Sequence, residues 1–193
     1  MTLNVVLTGS RAFGAAAADM IARRHNLTIT VSPAFAPPYA DLGAAYEQPD
    51  MRHDRLRAWA TRTGTPWISA HHLNPQAIPD GTDVIVAAHS HAFIGRRTRA
   101  RARLASIGYH PSLLPVHRGR DAIRWTLHDH DKITGGTIYH LTDNVDGGPI
   151  AAQDWCHVPP GITADDLWTR HLLPLGLRLL DRTLTDLVDD DEQ

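Results

Sequence analysis

Runs of apolar residues, broken by glycine and proline, divide this chain into short strands and amphipathic helices. Residues 3–8 (Leu3-Asn4-Val5-Val6-Leu7-Thr8) form a β-branched run. Gly9-Ser10-Arg11-Ala12-Phe13-Gly14 turns it into an alanine-rich stretch, 15–25, that favours helix. A second strand is predicted at 27–31. From 32 to 49 the chain carries Pro33, Pro37, Pro38, Gly43 and Pro49, which no regular element survives, so a long surface loop is expected, a candidate lid or substrate loop. Residues 51–62 read as an amphipathic helix with Leu56 and Trp59 on one side, and 67–69 as a short strand. Residues 83–88 (Asp83-Val84-Ile85-Val86-Ala87-Ala88) are apolar on both faces, as interior parallel strands are, and end at His89-Ser90-His91.

The arginine-rich stretch 93–103 is expected to be a solvated helix. A strand at 104–109 runs into a proline loop. Residues 121–129 read as a helix, and 134–142 as an alternating strand. The turn at 143–148 (Asp143-Asn144-Val145-Asp146-Gly147-Gly148) sends the chain back through 149–158 as an antiparallel partner. Thr163 opens a last helix, with Asp166 completing a capping pattern. Leu167, Trp168, Leu172, Leu175, Leu179 and Leu180 give it an apolar stripe that is either core or a homodimer contact, and Pro174 is expected to kink it. A strand, glycine turn and helix at the start, followed by further alternation, predict a doubly wound, Rossmann-like α/β sheet. One domain over 1–188 with a frayed acidic tail at 189–193 accounts for the chain.

Composition narrows the function. The 193 residues fit one domain, and a net charge of -2 implies no nucleic-acid footprint. No apolar run approaches a membrane span, and residues 1–10 lack a signal-peptide pattern. A single cysteine, Cys156, excludes an internal disulfide framework, so a cytoplasmic location is expected. It reads as a packed thiol rather than a nucleophile. Thirteen histidines raise the expectation of a metal or proton-transfer site.

Three polar groups stand at predicted strand ends: His89–His91, His110 and Asp143–Asp146. His110 opens a stiff loop, His110-Pro111-Ser112-Leu113-Leu114-Pro115, whose two prolines exclude helix. A histidine with a carboxylate partner suits acid–base work and oxyanion stabilisation. Spacing alone does not establish that His110 and Asp146 meet. A metal-dependent hydrolase built on His89 and His91, with His71, His72 or Asp146, is a competing reading, and polar capping of strand ends is the plainer one.

The ordered motifs HPSLLP at 110–115, Arg118-Gly119, TGGT at 134–137 and TDNVDGGPI at 142–150 resemble the formyltransferases that use 10-formyltetrahydrofolate, such as glycinamide ribonucleotide formyltransferase and the catalytic domain of methionyl-tRNA formyltransferase. The resemblance covers about residues 83–153. It implies a mostly parallel seven-stranded α/β sheet, catalytic roles for His110 and Asp146, and a cis bond at Leu114–Pro115. It places the folate against His91, Ala92, Phe93 and Ile94 and against Asp143, Asn144 and Val145. It requires no metal.

This chain departs from the family pattern at Gly108, where the family carries a catalytic asparagine. Two readings follow: backbone permissiveness or close packing, and room for a bulkier substrate or an altered reaction. Gly108, Ser112 and Arg118 are the candidate substrate contacts. After residue 158 the sequence reads as one helix and a tail, so a small-molecule amine rather than a tRNA is the expected acceptor. A formyltetrahydrofolate hydrolase and a catalytically impaired folate- or nucleotide-binding homologue are the alternatives.

Overall fold

The computed structural model describes residues 1–33, 54–90 and 92–192. The predicted loop at 32–49 lies outside them except for its first two residues, as does His91. The chain divides into two compact units, Thr2–Arg103 and Leu104–Gln193, Met1 belonging with the second.

The first unit contains β1 (Asn4–Gly9), α1 (Arg11–Ala22), β2 (Asn26–Ser32), α2 (Arg55–Thr63), β3 (Trp67–Ser69), β4 (Val84–Ala88) and α3 (Arg96–Arg99). β1 pairs in parallel with both β2 and β4, and β2 in parallel with β3. Val5, Val6, Leu7, Val84, Ile85 and Val86 are all buried, as their unbroken apolar runs require of strands covered on both faces. Phe13, Ala17, Ala18 and Ile21 of α1 and Leu56 and Trp59 of α2, two helices packed against one another, supply buried side chains to one covering layer. Each fully buried large apolar side chain is worth about 1.5–3 kcal/mol over exposure.

The second unit contains β5 (Ala105–His110), α4 (Ala122–His128), β6 (Ile133–His140), β7 (Ile150–His157), α5 (Ala164–Asp166) and α6 (Leu173–Asp191). β5 and β6 are antiparallel, as are β6 and β7. The strand order of the seven-stranded, mostly parallel sheet is β3-β2-β1-β4-β5-β6-β7.

Two expectations are corrected. α1 starts at Arg11 rather than 15, with Gly14 inside it. A side chain at 14 would stand 3.1 Å from the Gly9 carbonyl carbon, so glycine is what admits the helix this close to β1. The arginine-rich helix is only four residues long, and its neighbours are not simply solvated: Arg103 Nε lies 2.8 Å from Asp83 Oδ1 and Arg99 Nη1 donates to the Ile94 carbonyl at 2.6 Å. At the acidic end, α6 continues through Asp191, so Asp189, Asp190 and Asp191 are helical. Of the two readings of its apolar stripe, core holds for Leu167, Leu172, Leu175, Leu179 and Leu180, which are all buried, while Trp168 is half-buried.

Pro174 lies in the first turn of α6, where its missing N–H is tolerated, and the stretch before it, Leu167–Leu172, is π-helical. The Leu172 carbonyl accepts the Tyr109 hydroxyl at 2.6 Å. The Thr163 cap is as read, its Oγ1 accepting the Asp166 N–H at 3.1 Å.

Candidate active site

All the geometry of this site lies within the second unit. β5 ends at His110, and its register with β6 sets Gly108 opposite Tyr139 and His110 opposite Thr137. Alternation along a strand puts Gly108 and His110 on one face and Tyr109 on the other. Tyr109 indeed turns away. Side chains at Gly136 or Gly176 would stand 2.6 and 2.5 Å from its ring atoms.

The loop after His110 is fastened from β6 and β7. Thr137 Oγ1 donates to the Ser112 carbonyl at 2.7 Å and accepts the Leu114 N–H at 3.1 Å. Gln153 Nε2 donates to both Thr137 Oγ1 and the Leu114 carbonyl. Ser112 is buried, and its hydroxyl donates to the Val116 carbonyl at 2.5 Å. The hydroxyl named as a substrate contact is thus committed to the loop itself. The Leu114–Pro115 bond is cis, as the resemblance implies.

His110 and Asp146, separated by the whole of α4 and β6, face one another: Nδ1 lies 3.3 Å from Oδ2, with both side chains nearly buried. The imidazole Nε2–H donates to the His117 carbonyl at 2.8 Å. Both ring nitrogens therefore look onto acceptors. Asp146 is held independently of the histidine. Its Oδ2 accepts the Gly119 N–H at 2.7 Å and its Oδ1 accepts the Tyr139 hydroxyl at 2.6 Å. A nitrogen of His110 can leave the carboxylate for a substrate without orphaning it. Leaving such a group unpaired would cost about 1–3 kcal/mol.

Backbone conformation supports this placement. Asp146 itself is left-handed (φ 47), as is Gly119 (φ 85). Aspartate tolerates that region better than most residues, and glycine freely. The turn continues through Gly148, where a Cβ would fall 1.7 Å from the His140 carbonyl oxygen.

The space at Gly108 is taken. A Cβ there would sit 3.0 Å from Leu141 Cδ2 and 3.1 Å from two ring atoms of Tyr139. The chain's own side chains, rather than an open void, fill the position, which favours the packing reading of this glycine over room for substrate. Burial first, then the hydrogen bond to Asp146 and that carboxylate's charge, push the Tyr139 hydroxyl far above the usual phenol range, so it remains a donor.

The remaining predicted residues are placed as follows. Asp143, Asn144 and Val145 are exposed, Val145 at 71%; the Asn144 N–H donates to Thr142 Oγ1 at 3.2 Å, forming the turn. Arg118 is exposed beside Gly119. In the first unit the Ala92 N–H donates to Ser90 Oγ, Phe93 is 73% exposed and Ile94 is buried. Among the described residues no group of three His, Cys, Asp or Glu could hold a metal ion. Cys156 is a partly buried thiol whose pKa is raised by burial and then by Asp154.

Sequence reasoning missed Tyr139, Thr137, Gln153 and the Gly119 N–H. Gly119 and Thr137 left a trace, since Arg118-Gly119 and TGGT at 134–137 are among the motifs. Tyr139 and Gln153 signal themselves only through strand register.

A family model described as formyl transferase matches residues 69–175. Human cytosolic 10-formyltetrahydrofolate dehydrogenase is 36% identical over 139 residues, 67% of this chain and 15% of that protein. Methionyl-tRNA formyltransferase of Thermotoga maritima is 32% identical over 130 residues, 65% of this chain and 41% of the relative. This chain thus spans well under half the length of these curated relatives. Among solved structures, phosphoribosylglycinamide formyltransferase from Bacillus halodurans superposes with a TM-score of 0.72 at 20% identity, covering 96% of this chain and 95% of that one. A family match over more than half of the sequence, together with a shared fold over nearly all of it, establishes that the chain belongs to the formyl transferase family.

Proposed function

We propose that this protein transfers the formyl group of 10-formyltetrahydrofolate to an amine of a small molecule. The observation that carries the reading is the His110–Asp146 pair, at 3.3 Å, with the carboxylate fixed on its far side by Gly119 and Tyr139. A neutral amine attacks the formyl carbon. His110 donates to the oxyanion of the tetrahedral intermediate and then supplies a proton to N10 as the carbon–N10 bond breaks. Asp146 orients the imidazole and takes the amine's proton through a water. The products are a formamide and tetrahydrofolate. The exposed turn Asp143–Val145, whose Val145 offers apolar surface, is assigned to the folate, as are His91 to Ile94 on the resemblance alone. Arg118, exposed and cationic, is assigned to an anionic acceptor group.

A second reading has water in place of the amine. It is favoured by relatives named 10-formyltetrahydrofolate dehydrogenase, whose names specify no amine acceptor, and by the loss of the side-chain amide at 108.

One experiment separates these readings. Tetrahydrofolate release from 10-formyltetrahydrofolate is followed with a panel of amines (an amino sugar nucleotide, an aminoglycoside, an amino acid derivative) and with none. Amine-dependent release that collapses in His110→Ala supports transfer. Formate release at the same rate without any amine replaces transfer by hydrolysis. Full turnover by His110→Ala, or no turnover by the unaltered protein, ends both.

A further inference from the structure

We propose that Tyr139 is a positioning residue for the catalytic pair, its ring standing in the volume that Gly108 opens and its hydroxyl holding Asp146. The inference rests on the formyl-transfer reading of His110 and Asp146 and adds to it the answer to a deficit. Where the family carries an asparagine, this chain has no side chain at all, and one polar group is missing beside the histidine.

Three observations join at this point. First, register: Gly108 and Tyr139 are direct partners across β5 and β6, and in an antiparallel pair directly opposed side chains share a face. Second, space: a Cβ at 108 would already press on the Tyr139 ring at 3.1 Å, so the ring where it now lies excludes a longer side chain there. Third, chemistry: the hydroxyl ends 2.6 Å from Asp146 Oδ1, a charge-assisted hydrogen bond to the oxygen that neither His110 nor Gly119 uses. Burial keeps that hydroxyl protonated. The carboxylate is therefore gripped at both oxygens by groups of the protein, and the imidazole meets it in one orientation.

The ring also closes the face. Tyr139 is nearly buried, so no solvent gap is left where the amide would have been. An amide at 108 and an aromatic ring at 139 are mutually exclusive ways of filling one volume. The phenol reaches the pair from the β6 side; the amide would have reached it from β5.

The test uses the whole chain with 10-formyltetrahydrofolate, reading tetrahydrofolate release with the best amine of the panel, or with water if none is accepted. Tyr139→Phe keeps the ring and removes only the hydroxyl. Its kcat is expected to fall about tenfold, the scale of one charge-assisted hydrogen bond, while KM for the folate stays within about twofold. Gly108→Asn alone, forced against the ring, is expected to lose at least as much. Combining Gly108→Asn with Tyr139→Ala should recover activity above Tyr139→Ala alone, because the volume is then free for the amide.

Tyr139→Phe with unchanged kcat, or insoluble, would overturn the inference, since the hydroxyl would then be idle or merely structural. A double variant no better than Tyr139→Ala would overturn the exchange of one donor for another. In each case an inactive His110→Ala leaves the formyl-transfer reading standing. A fully active His110→Ala removes that reading first.

Discussion

Buried carboxylates occur in both units of this protein, and they do different things. In the first unit Asp54 accepts the Arg57 N–H at 2.9 Å and the Ser32 hydroxyl at 2.5 Å. Asp83 accepts the Asn4 N–H and lies against Arg103. In the second unit Asp146 likewise accepts one backbone N–H and one hydroxyl. By burial and hydrogen-bond count the three are alike. What separates Asp146 is its remaining neighbour, a buried imidazole whose proton can move. Among the described residues, the hydrogen-bond partners of Asp54 and Asp83 stay as they are at neutral pH. A satisfied buried carboxylate thus marks architecture, and one satisfied with a titratable group still facing it marks chemistry.

Substitutions can break this comparison, and the largest effect is expected at the pair. His110→Ala should cost about 10²–10⁴ in kcat, the range of general acid–base assistance. Asp146→Asn, which tolerates the left-handed backbone, should lose about 10²-fold on the same footing, with the thermal midpoint little changed. Steady-state kinetics beside thermal unfolding reads both. A fall in stability without a fall in rate would place Asp146 with Asp54.

Next in size is Gly119→Ala. The left-handed φ of 85 costs a side chain about 1–2 kcal/mol. It also turns the N–H off Asp146, so kcat should fall about tenfold. In the first unit Asp54→Ala removes a helix cap and should lower stability by about 1–2 kcal/mol with kcat unchanged, measured by urea denaturation. The smallest effect is alkaline. Burial raises the pKa of both Tyr109 and Tyr139 in the fold. Both states are neutral below the unfolded value near about 10. Above it the unfolded chain releases protons that the fold retains, so stability falls as pH rises further. Phenolate absorbance should show these two tyrosines ionising only together with unfolding. Ionisation before unfolding would remove the claim that Tyr139 stays a donor.

The sheet and the pair were legible in different ways. Strands such as 83–88 announce themselves by composition, five consecutive apolar residues after Asp83 with β-branched side chains and no helical spacing. The turn at 143–148 is equally plain, because asparagine, aspartate and glycine pairs leave few backbone choices. The helix start at Arg11 was not legible: Gly14 looks like punctuation until Gly9 is known to lie beside it. The fate of the arginines was hidden too, because Asp83 is some twenty residues from Arg103. Tyr139 was the largest omission. As a sequence position it is one more alternating strand residue, and only the pairing of β5 with β6 sets it over Gly108. His110 and Asp146 were named through motifs, whereas the Gly119 N–H that seats the carboxylate carries no side chain to be noticed.

Tyr109 reaches through the layers from the strand to the last helix, passing between two residues that have nothing to put in its way and ending on a carbonyl of the π-helical stretch. It is the residue between Gly108 and His110. The angle at which the histidine leaves its strand is thereby tied to a helix whose sequence says nothing of chemistry. Swapping Gly176 for alanine would press on the Tyr109 ring at 2.5 Å, and should be felt in folding and, through that ring, in the setting of the histidine.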